Sequence, residues 1–209
     1  IIGAIAVIVF GRGLFRKDFS LPHGETKKET VTIDNGNQSF SRKEIMITDG
    51  TKHSVPLDEI LGGGPPKDGI PSIDNPKFIS VTDAEELLND DEPGIALDLN
   101  GTARFYPFQI LVWHEIVNDT LNGRRVLVTY CPLCLSGIVF DPVAQGERVE
   151  FGTSGKLWNS NLVMYDRKTD SLWSQILGEA IVGEMAGTQL KVLPSDMIRF
   201  GEYKKQHPT

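Results

Sequence analysis

The chain has 209 residues, 40% hydrophobic and 23% charged, which excludes both a disordered chain and a polytopic membrane protein. Its formal net charge is −7 and its pI is about 5.1. That excludes nucleic acid as the main partner, because a phosphate binder needs a basic face. Gly (21) and Pro (12) together exceed the usual share of about 12%, so an all-helical bundle is disfavoured as well.

Residues 1–10 contain no polar side chain and are followed by Arg12, Arg16 and Lys17. Ten helical residues cover about 15 Å, whereas a membrane crossing takes about 20 residues. One reading makes residues 1–17 the end of a transmembrane or signal-anchor segment. The other makes them a buried strand or short helix of the core. The anchor reading is the expectation, although the positive-inside rule would hold the basic cluster in the cytoplasm.

Residues 18–60 read as a polar arm with a short hairpin: a strand over 44–48, then the Asp49-Gly50 turn. Leu61-Gly62-Gly63-Gly64-Pro65-Pro66 and the residues to Pro71 predict irregular, extended backbone and mark the internal boundary. Residues 61–209 form the expected β-rich domain. Thr82-Asp83-Ala84-Glu85 has capping-box spacing and predicts a helix from Thr82 to about Asn89.

From Gly94 onward the punctuation is that of antiparallel sheet. Residues 95–99 and 102–106 flank Asn100-Gly101, a type I′ turn signal. Pro107 suits the first turn of a helix running to about Val117. Asn122-Gly123 turns the chain into an apolar strand over 126–130. Three further hairpins are predicted: 137–140 with 148–151, 162–165 with 171–174, and 180–183 with 190–193. The fold class is mainly β (α+β), an antiparallel sandwich or partly open barrel with one or two short helices.

The chemistry concentrates at Cys131-Pro132-Leu133-Cys134, which holds both cysteines. A pair at this spacing closing a strand can bind a soft metal, cycle between dithiol and disulfide, or form a structural disulfide. Zinc wants four ligands and no second cysteine pair exists, so a metal site must recruit from elsewhere. Copper is the favoured metal and zinc the lesser one. His114 is the best third ligand, since His23 and His53 lie in the arm and His207 is third from the end. Its bland alternative is a histidine satisfied within an amphipathic helix. Met164 could complete a copper(I) site or simply fill the core. Glu115 could orient His114 or face solvent.

Gly152-Thr153-Ser154-Gly155-Lys156 lacks Walker spacing, and Gly-X-Ser-X-Gly and His-Glu-X-X-His are absent. Asn159-Ser160-Asn161 and Asp166-Arg167 lie between apolar strands and predict a buried hydrogen-bond network. Asn37, Asn100 and Asn118 each begin an Asn-X-Ser/Thr triplet, a glycan acceptor pattern if the domain is exported.

Several segments together resemble a prokaryotic family of unknown function, DUF3179. They are Asp68-Gly69-Ile70-Pro71, Phe105-Tyr106-Pro107 and His114-Glu115-Ile116-Val117-Asn118-Asp119. Tyr130-Cys131-Pro132-Leu133-Cys134-Leu135-Ser136-Gly137, Ser154-Gly155-Lys156-Leu157, Asn161-Leu162-Val163-Met164-Tyr165-Asp166-Arg167 and Ser171-Leu172-Trp173-Ser174-Gln175 complete the pattern. The resemblance implies an exported or membrane-anchored domain and no known reaction. Members often continue beyond the equivalent of residues 207–209.

The expected function is that of a membrane-anchored, extracytoplasmic domain binding copper through Cys131, Cys134 and His114. One rival is a non-enzymatic accessory subunit of a membrane complex, with Cys131 and Cys134 as a structural disulfide. The other is a thiol-disulfide oxidoreductase.

Overall fold

The computed structural model describes residues 20–34 and 40–208. The anchor expected over 1–17 and the triplet at Asn37 lie outside the described residues. Among the described residues no helix is long and apolar enough to cross a membrane.

The protein is mainly β, with an antiparallel sheet curled into a half-barrel and three short helices. An eight-stranded sheet runs in the order Thr26–Asp34, Phe40–Thr48, Thr51–His53, Glu179–Val182, Leu172–Ser174, Asn161–Asp166, Phe151–Trp158, Ile60–Gly62. A five-stranded sheet runs Lys191–Leu193, Ser136–Asp141, Arg124–Cys131, Ile116–Leu121, Ile73–Asp74. A three-stranded sheet is made by Asp196–Arg199, Pro93–Leu99 and Thr102–Pro107.

These sheets stack in layers, and the middle one explains the most apolar strand. Side chains alternate faces along a strand. From Arg124–Cys131, Leu127 and Cys131 enter one core cluster with Phe151, Met164 and Trp173 of the eight-stranded sheet. Val126, Val128 and Tyr130 enter the other, with Ile95, Leu97 and Tyr106 of the three-stranded sheet. A strand buried on both faces reads as a continuous apolar run rather than an alternating one.

Asn118 fastens two of these layers. Its amide donates to Phe151 O at 2.8 Å and accepts from Phe151 N at 3.0 Å. Its second donated bond goes to Asp74 at 2.7 Å. Asp166 is fully buried and is satisfied by Trp173 Nε1, by Thr169 and by the backbone N–H of Lys168, which is the buried polar network expected there.

Several expected elements sit elsewhere. The 95–99 and 102–106 hairpin forms, with Asn100 and Gly101 both at positive φ. The second helix is Phe108–His114, however, and does not reach Val117. Glu115 adopts φ 59°, ψ −31° and ends it. Ile116 and Val117 then pair with Thr129 and Val128, where each fills a different core cluster. The helix near 82 is Val81–Ala84, capped by Ser80, whose Oγ accepts from Asp83 N at 3.0 Å. The helix cap is therefore built on Ser80 and Asp83, two residues before the expected capping box.

Two hairpins are replaced by exchange between sheets. Ser136–Asp141 pairs with Lys191–Leu193, and Phe151–Trp158 pairs with Asn161–Asp166. Residues 61–71 are laid along Phe151–Trp158, through Gly63 N to Gly155 O and Asp68 N to Thr153 O. Gly155 makes this approach possible. At φ 72° it sits in a bulge, and a Cβ there would meet Pro65 O at 2.1 Å.

Candidate functional site

Cys131 and Ser136 are register partners, so residues 132–135 form the tip of a hairpin. Cys131 faces inward, like Leu127, and is 1% exposed. Cys134 rides the tip and is exposed. Both are free thiols, so the structural disulfide of one reading is not present. Leu135 completes the tip at φ 51°, a left-handed conformation that is uncommon for a bulky residue.

Two polar side chains from two strands converge on the Cys134 sulfur. Ser136 Oγ lies 3.0 Å from it and Asn161 Nδ2 3.2 Å from it. Behind them is Gln175, fully buried, whose Oε1 accepts from Asn161 Nδ2 at 2.8 Å and from Ser136 Oγ at 3.0 Å. Gln175 Nε2 donates to Thr129 Oγ1 at 3.1 Å and to Ser136 O at 3.3 Å. Thr129 spends its own proton on Ile138 O.

This network fixes which atoms donate. An amide has two hydrogens on nitrogen and only acceptor capacity on oxygen. Ile176 N–H donates to Asn161 Oδ1 at 3.0 Å, so the Asn161 oxygen must face Ile176. Its two N–H groups are then left for Gln175 Oε1 and Cys134 Sγ. Asn161 presents a donor to the sulfur, and a donor favours the thiolate over the thiol.

The thiols respond in opposite directions. Partial burial pushes Cys134 up, but hydrogen bonds with Ser136, Cys131 and Asn161 outweigh this and hold it below its ordinary value. Burial and its hydrogen bond to Cys134 push Cys131 up. An exposed thiol with a lowered pKa backed by a buried protonated one is poised for nucleophilic attack.

The other expected ligands do not complete a metal centre. His114 ends its helix with Nδ1 2.8 Å from Pro71 O. Among the described residues no group of three or more His, Cys, Asp or Glu is placed to hold a metal ion, so the Cys131–Cys134–His114 centre does not assemble. Met164 is fully buried core, beside Phe151 and Trp173. His53 is also buried, bonded to Thr48 Oγ1 and Val55 O. Burial alone pushes the Glu115 carboxyl up to about 7.

A separate groove of about 380 Å³ is lined by Phe78, Ile79, Leu87, Tyr106 and Tyr203. Arg104 on its wall is committed to Asp119, which also accepts from Tyr106 Oη at 2.7 Å. Arg104 and Tyr106 are thus engaged within the fold.

Sequence reasoning found both cysteines and singled out Asn161 as polar between strands. It missed the roles of Ser136 and Gln175. The available signal was a Gln directly after the apolar Leu172-Trp173-Ser174 strand, where a buried amide must find partners.

No curated protein and no solved structure matches the chain. A family model described as "Protein of unknown function" matches residues 67–209, a span that takes in the cysteine hairpin, Asn161 and Gln175. The chain therefore belongs to the DUF3179 family.

Proposed function

We propose that the Cys131–Cys134 pair carries out thiol–disulfide exchange, with Cys134 attacking and Cys131 resolving. The observation that carries this is the donor set around an exposed sulfur with a second thiol hydrogen-bonded behind it. The Cys134 thiolate attacks one sulfur of a partner disulfide. A bond forms between Cys134 and the partner, the partner's S–S bond breaks, and its other sulfur leaves as a thiolate that takes up a proton. Cys131 then gives up its proton and attacks the Cys134 sulfur. The second partner thiolate leaves, and a Cys131–Cys134 disulfide remains. Two electrons have passed to the partner, and a dithiol donor must return them before the next cycle. The reverse sequence oxidises a dithiol.

The test is trapping. Cys131→Ser leaves the attacking thiol without its resolver and should accumulate a mixed disulfide with a model disulfide. Cys134→Ser should trap none. Equal trapping by both variants, or by neither, overturns the assignment.

A second reading keeps the metal. Two adjacent thiols suit copper(I), a soft ion selected by thiolate ligands, without recruiting His114. Stoichiometric copper(I) binding in competition with a chelator, lost in Cys134→Ser and kept in His114→Ala, would establish it. For either chemistry we place the domain on the outer face of a membrane, held by residues 1–17. The support is the apolar run of the sequence, and extraction that requires detergent is the check.

A further inference from the structure

We infer that the partner of Cys134 is a disulfide carried on an apolar polypeptide segment, not a small anionic disulfide. This rests on the thiol–disulfide reading above and names its substrate class. The surroundings of the sulfur carry the argument. Leu133 and Leu135 flank Cys134 on the hairpin tip and are 67% and 68% exposed. Ile176, 48% exposed, follows Gln175 and is tied by its N–H to the amide that touches the sulfur. Leu177 beside it is also exposed. The reactive atom thus sits inside a collar of side chains that the fold leaves open to water.

Charge points the same way. Residues 126–140, 157–165 and 171–178 build the site, and none of them is Asp, Glu, Lys or Arg. The groups that hold the thiol below its ordinary value, Ser136, Cys131 and Asn161, are all neutral. These segments offer no charged side chain of their own to the carboxylates of a glutathione-like disulfide, and the chain's net charge of −7 repels them at longer range. An uncharged apolar segment loses no ion pair on docking and covers the exposed leucines.

Leu135 adds an independent point. Its left-handed backbone would suit Gly or Asn better, yet a leucine is held there with its side chain in solvent. Strain kept at a reactive tip, with no burial inside the fold in return, fits a side chain that finds its contact on a partner.

The experiment uses three probes on the reduced protein. Iodoacetamide, small and neutral, reads the thiolate itself. Oxidised glutathione and a capped, uncharged disulfide peptide with leucine and phenylalanine flanks read the collar. The peptide should exchange about tenfold faster than glutathione, and high salt, which screens the long-range repulsion of glutathione, should reduce the ratio without abolishing it. The double variant Leu133→Ser with Leu135→Ser should lose that preference while keeping the iodoacetamide rate. A preference that vanishes in high salt, or that survives in the double variant, overturns the collar. An iodoacetamide rate no faster than that of an ordinary cysteine overturns the thiol reading beneath it.

Discussion

Asn161 Nδ2 donates to Cys134 Sγ at 3.2 Å and to Gln175 Oε1 at 2.8 Å, so one amide couples an exposed sulfur to a fully buried side chain. Asn161→Asp replaces the donor with a carboxylate and places like charge against the thiolate. Alkylation of Cys134 at neutral pH should slow about tenfold or more, because one unit of pKa is a factor of ten. The rate is measured against pH in a Cys131→Ser background. A profile that does not move would show that Asn161 has no influence on the thiol.

Gln175 serves four bonds at once, accepting from Ser136 and Asn161 and donating to Thr129 and to Ser136 O. Gln175→Leu leaves Asn161 with an unanswered N–H beneath the hairpin. A buried unsatisfied group costs about 1–3 kcal/mol. The urea midpoint should fall accordingly with an unchanged slope, and Cys134 alkylation should slow as Ser136 and Asn161 lose their alignment.

Asn118 bonds both the N–H and the C=O of Phe151 across two sheets. Asn118→Ala strips the clasp and should destabilise the protein by about 1–3 kcal/mol in urea unfolding. Thr120→Ala, which removes the same triplet but leaves the amide in place, should cost far less. Because both ends of the Asn118 amide are committed, the folded protein offers no acceptor there for a glycan.

Glu115 gives a pH dependence with a definite sign. Burial raises its carboxyl from 4.5 to about 7. Between those values the folded protein holds a proton that the unfolded chain has released. Stability therefore falls as pH rises through that window. Glu115→Gln keeps the backbone conformation and removes the titration. Its urea midpoint should match the wild type in acid below the window and exceed it above. A parallel decline in both proteins would place the titration on another group.

Much of this was legible because it is local. Asn100-Gly101 dictates its own turn, and Pro107 its own helix start, since each sets backbone angles within two residues. The 126–130 strand announced itself by apolar, β-branched content. The exchange of strands between sheets was not legible. Turn signals around Pro142 or Gly187 say that the chain reverses, and partner choice is decided by which face meets Phe140 or Trp173. The centre divides in the same way. Cys131 and Cys134 are neighbours in sequence. Ser136 and Gln175 are 39 positions apart and meet through packing of one sheet on another. His114 misled because a helix extended to Val117 would have carried it differently, and the turn at Glu115 leaves no apolar or charged signature.

The paired positions Cys131 and Ser136 close the hairpin on a straight two-strand ladder, with Cys131 sunk in the core. The tip can therefore be exchanged as a cassette. New residues at 133 and 135 would change the surface around the exposed Cys134, while the core beneath keeps Cys131 where it stands.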